Sequence, residues 1–229
     1  MTPARWDHSE RYIRELFAPS GALEEVVARR AAAGGLPSIA VSSDTGRVLM
    51  MLAGLTNGGR GAARALELGT LAGYSACWIA RGLSPDGRLI TFEPNARHAD
   101  VAEAVFGELG LAGRVELRRT AASEAEFQKL TGQFGPASFD IVFVDAIKTD
   151  YPLYFRCAAP LIRPGGIFTA HNALGSNSWW IDAAADAAGR ADRDAVDRFN
   201  RQVAADARFD AVILPMHQGL LVARRRADG

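Results

Sequence analysis

Several things are scarce in this sequence. It has two cysteines in 229 residues, Cys77 and Cys157. That excludes a disulfide framework and reads as buried thiols on helices. No apolar run approaches the ~20 residues that span a bilayer. Neither charge is in excess, with 26 basic residues against 26 acidic. The footprint of a nucleic-acid or membrane-surface binder is therefore missing, and the closing Arg224-Arg225-Arg226 reads as a solvated tail. The first residues, MTPARWDHSERYIREL, mix charges and lack the apolar core of a secretory signal, so the expected location is cytoplasmic. Lysine is rarer still: Lys129 and Lys148 are the only two, and the other 24 basic residues are arginine. Arginine stays protonated, whereas a desolvated lysine can lose its proton. A lysine at a chemically suggestive place therefore stands out; Lys129 reads as a surface residue.

What is present is a large apolar fraction, 48 %, enough for a sizeable core. The length suits one α/β domain with a helical N-terminal extension. Residues 1–35 read as that extension, a lid or dimer surface, and 36–229 as the main domain. Ser20 is a candidate cap for a helix running to about Arg30, stopped by Gly34-Gly35. A second helix is expected over Asp44–Leu55. From Ala65 strands and helices alternate. Strands are expected at Ala65–Leu68, Arg88–Phe92, Arg114–Arg118, Ile141–Val144 and Ile167–Ala170. Helices are expected at Tyr74–Leu83, Ala96–Leu109, Ser123–Leu130, Tyr151–Ile162 and Asp194–Ala205. Such alternation with short connections predicts a doubly wound, Rossmann-like parallel sheet with helices on both faces. Ala211–Leu214 and Leu220–Ala223 are separated by hairpin spacing, so the last strand should run antiparallel.

The stretch LELGTLAGYS (Leu66–Ser75) follows the first strand and opens a helix. Gly69 permits a tight turn and Gly73 a close backbone approach. The spacing is not the G-x-G-x-x-G that cradles a pyrophosphate. A ligand without phosphates does not need that pattern, and Ser75 can hold a carboxylate at the helix N-terminus. The plain alternative is an ordinary glycine turn. Glu93 ends the second strand 24 residues beyond Gly69, where a carboxylate can take both hydroxyls of a ribose. Its plain alternative is a solvated acid before proline. Taken as a pair, Gly69 and Glu93 imply a nucleoside ligand at the carboxyl edge of the sheet. FDIVFVDAIKTDYPLYF (Phe139–Phe155) delivers Asp145 and Lys148 to the same edge, and TAHNAL (Thr169–Leu174) delivers His171 and Asn172.

At this point the sequence resembles the cation-dependent, S-adenosylmethionine-using O-methyltransferases, which include the caffeoyl-CoA and catechol enzymes and their bacterial relatives. The resemblance runs from about Leu36 to Arg225. It rests on LELGTLAGYS, ITFEPN, FDIVFVDAIKTDY, LIRPGGIF and ILPMHQGLLVARR together. It implies a seven-stranded sheet with an antiparallel last strand and a homodimer. It also implies cofactor contacts: Glu67, Gly69 and Ser75 at the methionine part with Tyr74 beside them, Glu93 at the ribose, and Ala122 at the adenine. Asp145 would be close by, and the backbone near Val41 and Ser42 would cover the site. In such enzymes an acid at the position of Asp145 and an Asp-Asn pair hold a divalent ion, and the resemblance implies that a lysine matching Lys148 is the base.

Two departures stand out. The Asp of that pair is His171 here, and Ile147 stands where many relatives, though not the catechol branch, carry a second acid. Losing a carboxylate leaves a divalent ion less compensated. Imidazole nitrogen also suits manganese, iron, cobalt, nickel or zinc better than magnesium. Three readings of His171 stay open: a ligand with Asp145 and Asn172, a neutral general base without metal, or a local backbone cap. The expected activity is methyl transfer to a hydroxyl of a small, aromatic, catechol-like acceptor, with Lys148, Asp145 and His171 as the catalytic candidates. Trp179 and Trp180 are candidates for a flat-substrate wall, or for packing on a subunit or the core. His8, His98 and His217 read as structural. A nicotinamide oxidoreductase and a non-catalytic cofactor-binding relative are the competing readings.

Overall fold

The computed structural model describes residues 3–17, 21–175, 187–216 and 218–227. Helices α1 (Pro3–Phe17), α2 (Ala22–Ala33) and α3 (Ser43–Gly59) precede the sheet. Then follow β1 (Ala62–Leu68), α4 (Tyr74–Arg81), β2 (Leu83–Phe92), α5 (Ala96–Glu108) and β3 (Val115–Arg118). The second half holds α6 (Glu124–Phe134), β4 (Phe139–Val144), α7 (Tyr151–Ala158), β5 (Ile162–Ala170), α8 (Ala187–Ala205), β6 (Phe209–Leu214) and β7 (Leu220–Arg225). The strands form one seven-stranded sheet in the order β3-β2-β1-β4-β5-β7-β6. The pairs among β1 to β5 are parallel, and β7 runs antiparallel to both β5 and β6. This is the expected fold.

The central strands are apolar because both of their faces are covered. All six residues of β4 are buried. Side chains alternate across a strand. Val142 and Val144 therefore join the core under α6, α7 and α8, and Ile141 and Phe143 join the one under α2, α3 and α4. The helix α2 is anchored there by Leu23 and Val27, and Arg29 and Arg30 pair with Glu108 at the end of α5.

Several element bounds differ from the expected ones for local reasons. Strand β2 begins at Leu83 rather than Arg88, and β5 at Ile162 rather than Ile167. The turn-like Ser84-Pro85-Asp86-Gly87 and Arg163-Pro164-Gly165-Gly166 are absorbed as bulges, where the register shifts against β1 and β4. Asp140 pins both. Its Oδ2 accepts the N–H groups of Ala63 (2.6 Å) and Arg64 (2.8 Å), and its other oxygen pairs with Arg163. The cap of α2 is Gly21, whose N–H donates to Glu24 at 3.0 Å; Ser20 lies outside the described residues. Regular helix in α3 ends at Leu55, since Thr56, Asn57 and Gly58 leave helical φ/ψ. Helix α8 starts before the expected Asp194.

Candidate functional site

Sheet order reverses between β1 and β4: the chain winds outward to β3 on one side and to β5 on the other. Ligands of doubly wound sheets sit at the carboxyl ends of strands flanking such a point. A cavity of about 760 Å³ opens there, room for a nucleoside-sized cofactor and a small second ligand. Its base is tight. The Asp145 N–H donates to Leu68 O at 2.9 Å. Gly69 has φ +96, and a Cβ on it would lie 2.2 Å from Asp145 O. Only glycine lets the two strand ends meet this closely. Gly73, at φ +81, similarly turns the chain into α4 against the Phe106 ring.

Of the sequence candidates, Val41, Gly69, Tyr74, Ser75, Glu93, Ala122, Asp145, Lys148, His171 and Asn172 all line this cavity. Two do not. Ser42 caps α3, accepting the Thr45 N–H, and so fixes the segment that carries Val41. Glu67 is 0 % exposed and stands one layer behind the lining. Its Oε2 accepts the Thr91 hydroxyl at 2.6 Å, and Thr70 in turn donates to Thr91 at 2.6 Å. Burial pushes the Glu67 carboxyl up to about 7; contacts from Ser75 and Thr91 counter this, and the charges of Asp145 and Glu93 add to it. Trp179, Trp180 and His217 lie outside the described residues.

Glu93 is held from both sides. Its Oε2 accepts the Leu71 N–H and its Oε1 the Asn95 N–H, both at 2.9 Å. His98 also lines the cavity, with Nδ1 3.4 Å from Glu93 Oε1. His98, expected to have no constellation around it, thus stands beside a candidate site residue. The missed signal was Asn95: it caps α5 by accepting the N–H groups of Arg97 and His98, which sets His98 in the first turn beside the end of β2.

At the other end, Asp145 is a hub. Its Oδ1 accepts from Lys148 Nζ at 2.8 Å, and its Oδ2 lies 3.4 Å from His171 Nδ1. Burial works against the carboxylate, but the Lys148 charge and the His171 contact hold its pKa down to about 2. The Lys148 ammonium also donates to Ala146 O (3.1 Å) and to the Tyr151 hydroxyl (2.9 Å). That hydroxyl donates to His171 O at 3.1 Å, so the buried Tyr151 ties the exits of β4 and β5 together. Sequence reasoning missed Tyr151, whose pattern looks like core. Asn172 has φ +58, a left-handed conformation that asparagine tolerates, and its amide donates to Gln218 Oε1.

Among the described residues no three His, Cys, Asp or Glu side chains gather around one point. Asp145 Oδ2 and His171 Nδ1 nevertheless stand 3.4 Å apart, the separation of two ligand atoms on one tetrahedral ion with bonds of about 2.1 Å. One carboxylate, one imidazole and one carboxamide fit a borderline first-row cation better than magnesium.

A profile of the O-methyltransferase family matches residues 18–226. The chain belongs to the O-methyltransferase family. A catechol O-methyltransferase of Niastella koreensis is 36 % identical over 207 residues, 90 % of this chain and 89 % of that protein. An O-methyltransferase from Bacillus cereus, solved in complex with S-adenosylhomocysteine, superposes with TM-score 0.83 at 33 % identity, covering 97 % of this chain and 99 % of that one. TomG of Streptomyces achromogenes, an O-methyltransferase involved in tomaymycin synthesis and solved with S-adenosylmethionine, gives TM-score 0.82 at 31 % identity over 99 % of this chain and 100 % of that one. The expected enzyme class and methyl donor agree with these findings. No helix among the described residues is long and apolar enough to cross a membrane.

Proposed function

We propose that the chain moves a methyl group from S-adenosylmethionine to one hydroxyl of a small, catechol-like aromatic acceptor. One observation carries this: a single cavity joins a carboxylate suited to ribose, Glu93, to the polar set Asp145, Lys148, His171 and Asn172. In this reading Ser75 and the start of α4 hold the methionine carboxylate, with Gly69 and Tyr74 alongside. Glu67 supports Ser75 from behind, Ala122 faces the adenine, and Val41 closes over the donor. Two large side chains at the cavity, Ile39 (67 % exposed) and Ile147 (59 %), offer apolar faces to a flat ring. The relative's name, catechol O-methyltransferase, points the same way.

The reaction is an in-line displacement, so alignment is the main contribution. An oxygen lone pair of the acceptor bonds to the methyl carbon as the carbon–sulfur bond breaks. Its electron pair stays on sulfur, and the sulfonium becomes a thioether. The hydroxyl proton must leave the oxygen: Lys148 as the neutral amine would take it, whereas as the ammonium it would hold the oxyanion. Asp145, His171 and Asn172 are the residues that would hold a divalent ion; when bound, such an ion lowers the pKa of the acceptor hydroxyl. The test is transfer of a labelled methyl group to catechol and to resorcinol, with chelator-treated enzyme resupplied with magnesium, manganese, cobalt or zinc. Catechol should be labelled and resorcinol not, with cobalt, zinc or manganese outperforming magnesium. Labelling of neither, while S-adenosylhomocysteine still binds, would sink the acceptor class. Equal rates with and without every metal would remove the ligand role of His171.

A homodimer belongs to the same proposal. Tyr12, Ile13, Leu16 and Phe17 are exposed on one side of α1, an apolar stripe that a second copy would cover. Sedimentation should give a dimer for the native chain and a monomer for Leu16→Glu/Phe17→Glu. An unchanged dimer would place the interface elsewhere.

A further inference from the structure

We infer that His98 is a cofactor-binding residue: its Nδ1–H donates to the same ribose hydroxyl that donates to Glu93. The inference rests on Glu93 being the ribose carboxylate and adds the group that completes the clamp. A carboxylate only accepts hydrogen bonds, so a hydroxyl bound to it has committed its one proton. The lone pairs of that oxygen are then left inside a cavity and need a donor, since an unsatisfied acceptor there is costly. Two N–H groups beside Glu93, those of Leu71 and Asn95, already donate to its own oxygens. Phe92, Pro94, Ala121 and Ala122 line the cavity with it and carry no side-chain donor. His98 does.

The distance supports this. Nδ1 of His98 is 3.4 Å from Glu93 Oε1, longer than the ~2.8 Å of a direct charge-assisted bond. Two polar atoms so spaced can both contact one hydroxyl oxygen at about 2.8 Å each, one as acceptor and one as donor. With both contacts at about 2.8 Å the angle at that oxygen is about 75°, and a rotation of the half-buried imidazole away from Glu93 widens it toward the tetrahedral value. The ring does not hang free: its residue sits in the first turn of α5, with its backbone N–H held by Asn95 Oδ1 at 3.3 Å. Its side chain is 23 % exposed and belongs to neither core cluster.

Calorimetry on the full chain tests this with S-adenosylhomocysteine and its 2′-deoxy and 3′-deoxy analogues, against wild type, His98→Phe and His98→Gln. Phe keeps a flat ring without the donor; Gln keeps a donor. His98→Phe should bind S-adenosylhomocysteine about tenfold more weakly, the worth of one hydrogen bond of roughly 1.4 kcal/mol. The analogue lacking the bridging hydroxyl should bind wild type and His98→Phe alike, and His98→Gln should recover part of the loss. If wild type discriminates against a deoxy analogue and His98→Phe keeps that discrimination in full, the inference fails while the ribose role of Glu93 stands. If wild type binds all three ligands equally, the ribose role of Glu93 itself fails. An equal loss for all three ligands in His98→Phe would mark His98 as structural and overturn the inference.

Discussion

Lys148→Met is expected to lower kcat by about 10²–10⁴-fold, the usual worth of a positioned proton-transfer group, with the affinity for S-adenosylhomocysteine changed by less than about threefold. Lys148 is one of two lysines in the chain, and its nitrogen lies among Asp145, Ala146 O and the Tyr151 hydroxyl at the cavity. Methionine keeps the length and apolar stem of the side chain but removes the nitrogen, so both proton uptake and oxyanion stabilisation go. Lys148→Arg separates these two. Arginine retains the charge but cannot accept a proton, so an arginine variant as slow as the methionine one identifies Lys148 as the base. Arginine turnover close to wild type identifies charge stabilisation instead. Single-turnover rates and the melting temperature should be measured together, because Asp145 loses a partner in the methionine variant. A methionine variant that turns over like wild type would remove Lys148 from the chemistry.

The second large effect is a pH dependence written into Glu67. In the unfolded chain this carboxyl titrates near 4.5, and in the fold burial raises it to about 7. Between these values the native state binds more protons than the unfolded state, so stability falls as pH rises. The loss begins above the unfolded value, is complete above about 7, and amounts to roughly 3 kcal/mol. Glu67→Gln keeps the shape and an acceptor for Thr91 without the charge. Denaturant unfolding of the cofactor-free protein should therefore find the variant equal to wild type near pH 4.5 and more stable at pH 8. Parallel stability curves across that range would show that Glu67 is ionised at little cost, and this account of it would be wrong.

Glu67 also shows where reading along the chain falls short. Its place in LELG next to the first turn suggests ligand contact. Strand parity sets only its layer: Leu66 and Leu68 join one core cluster, and Glu67 faces the opposite layer with Ala65 of the other cluster, the one that also takes in the start of α4. Residues at the strand exits fared differently. Asp145, Lys148, His171 and Asn172 line one cavity with Glu93, as expected, because parallel strands send their carboxyl ends to one edge. The hairpin of β6 and β7 was legible from its spacing and Gly219. Ser84–Gly87 and Arg163–Gly166 were not legible as strand, since proline and glycine signal turns unless a bulge absorbs them. The buried Asp140 that holds both bulges is 77 residues from Ala63 in the chain, beyond any local pattern.

By itself the sequence determined the alternation of elements, the parallel sheet with its antiparallel last strand, and the family. These follow from periodicity and short motifs, which act over a few residues. Only the tertiary structure decided which side chains meet: the 3.4 Å approaches of His98 to Glu93 and of His171 to Asp145, the tie from Tyr151 to Lys148, and the retreat of Glu67 behind Ser75. Contacts of that kind depend on packing angles and side-chain directions set by the whole core, and no local stretch of residues encodes them.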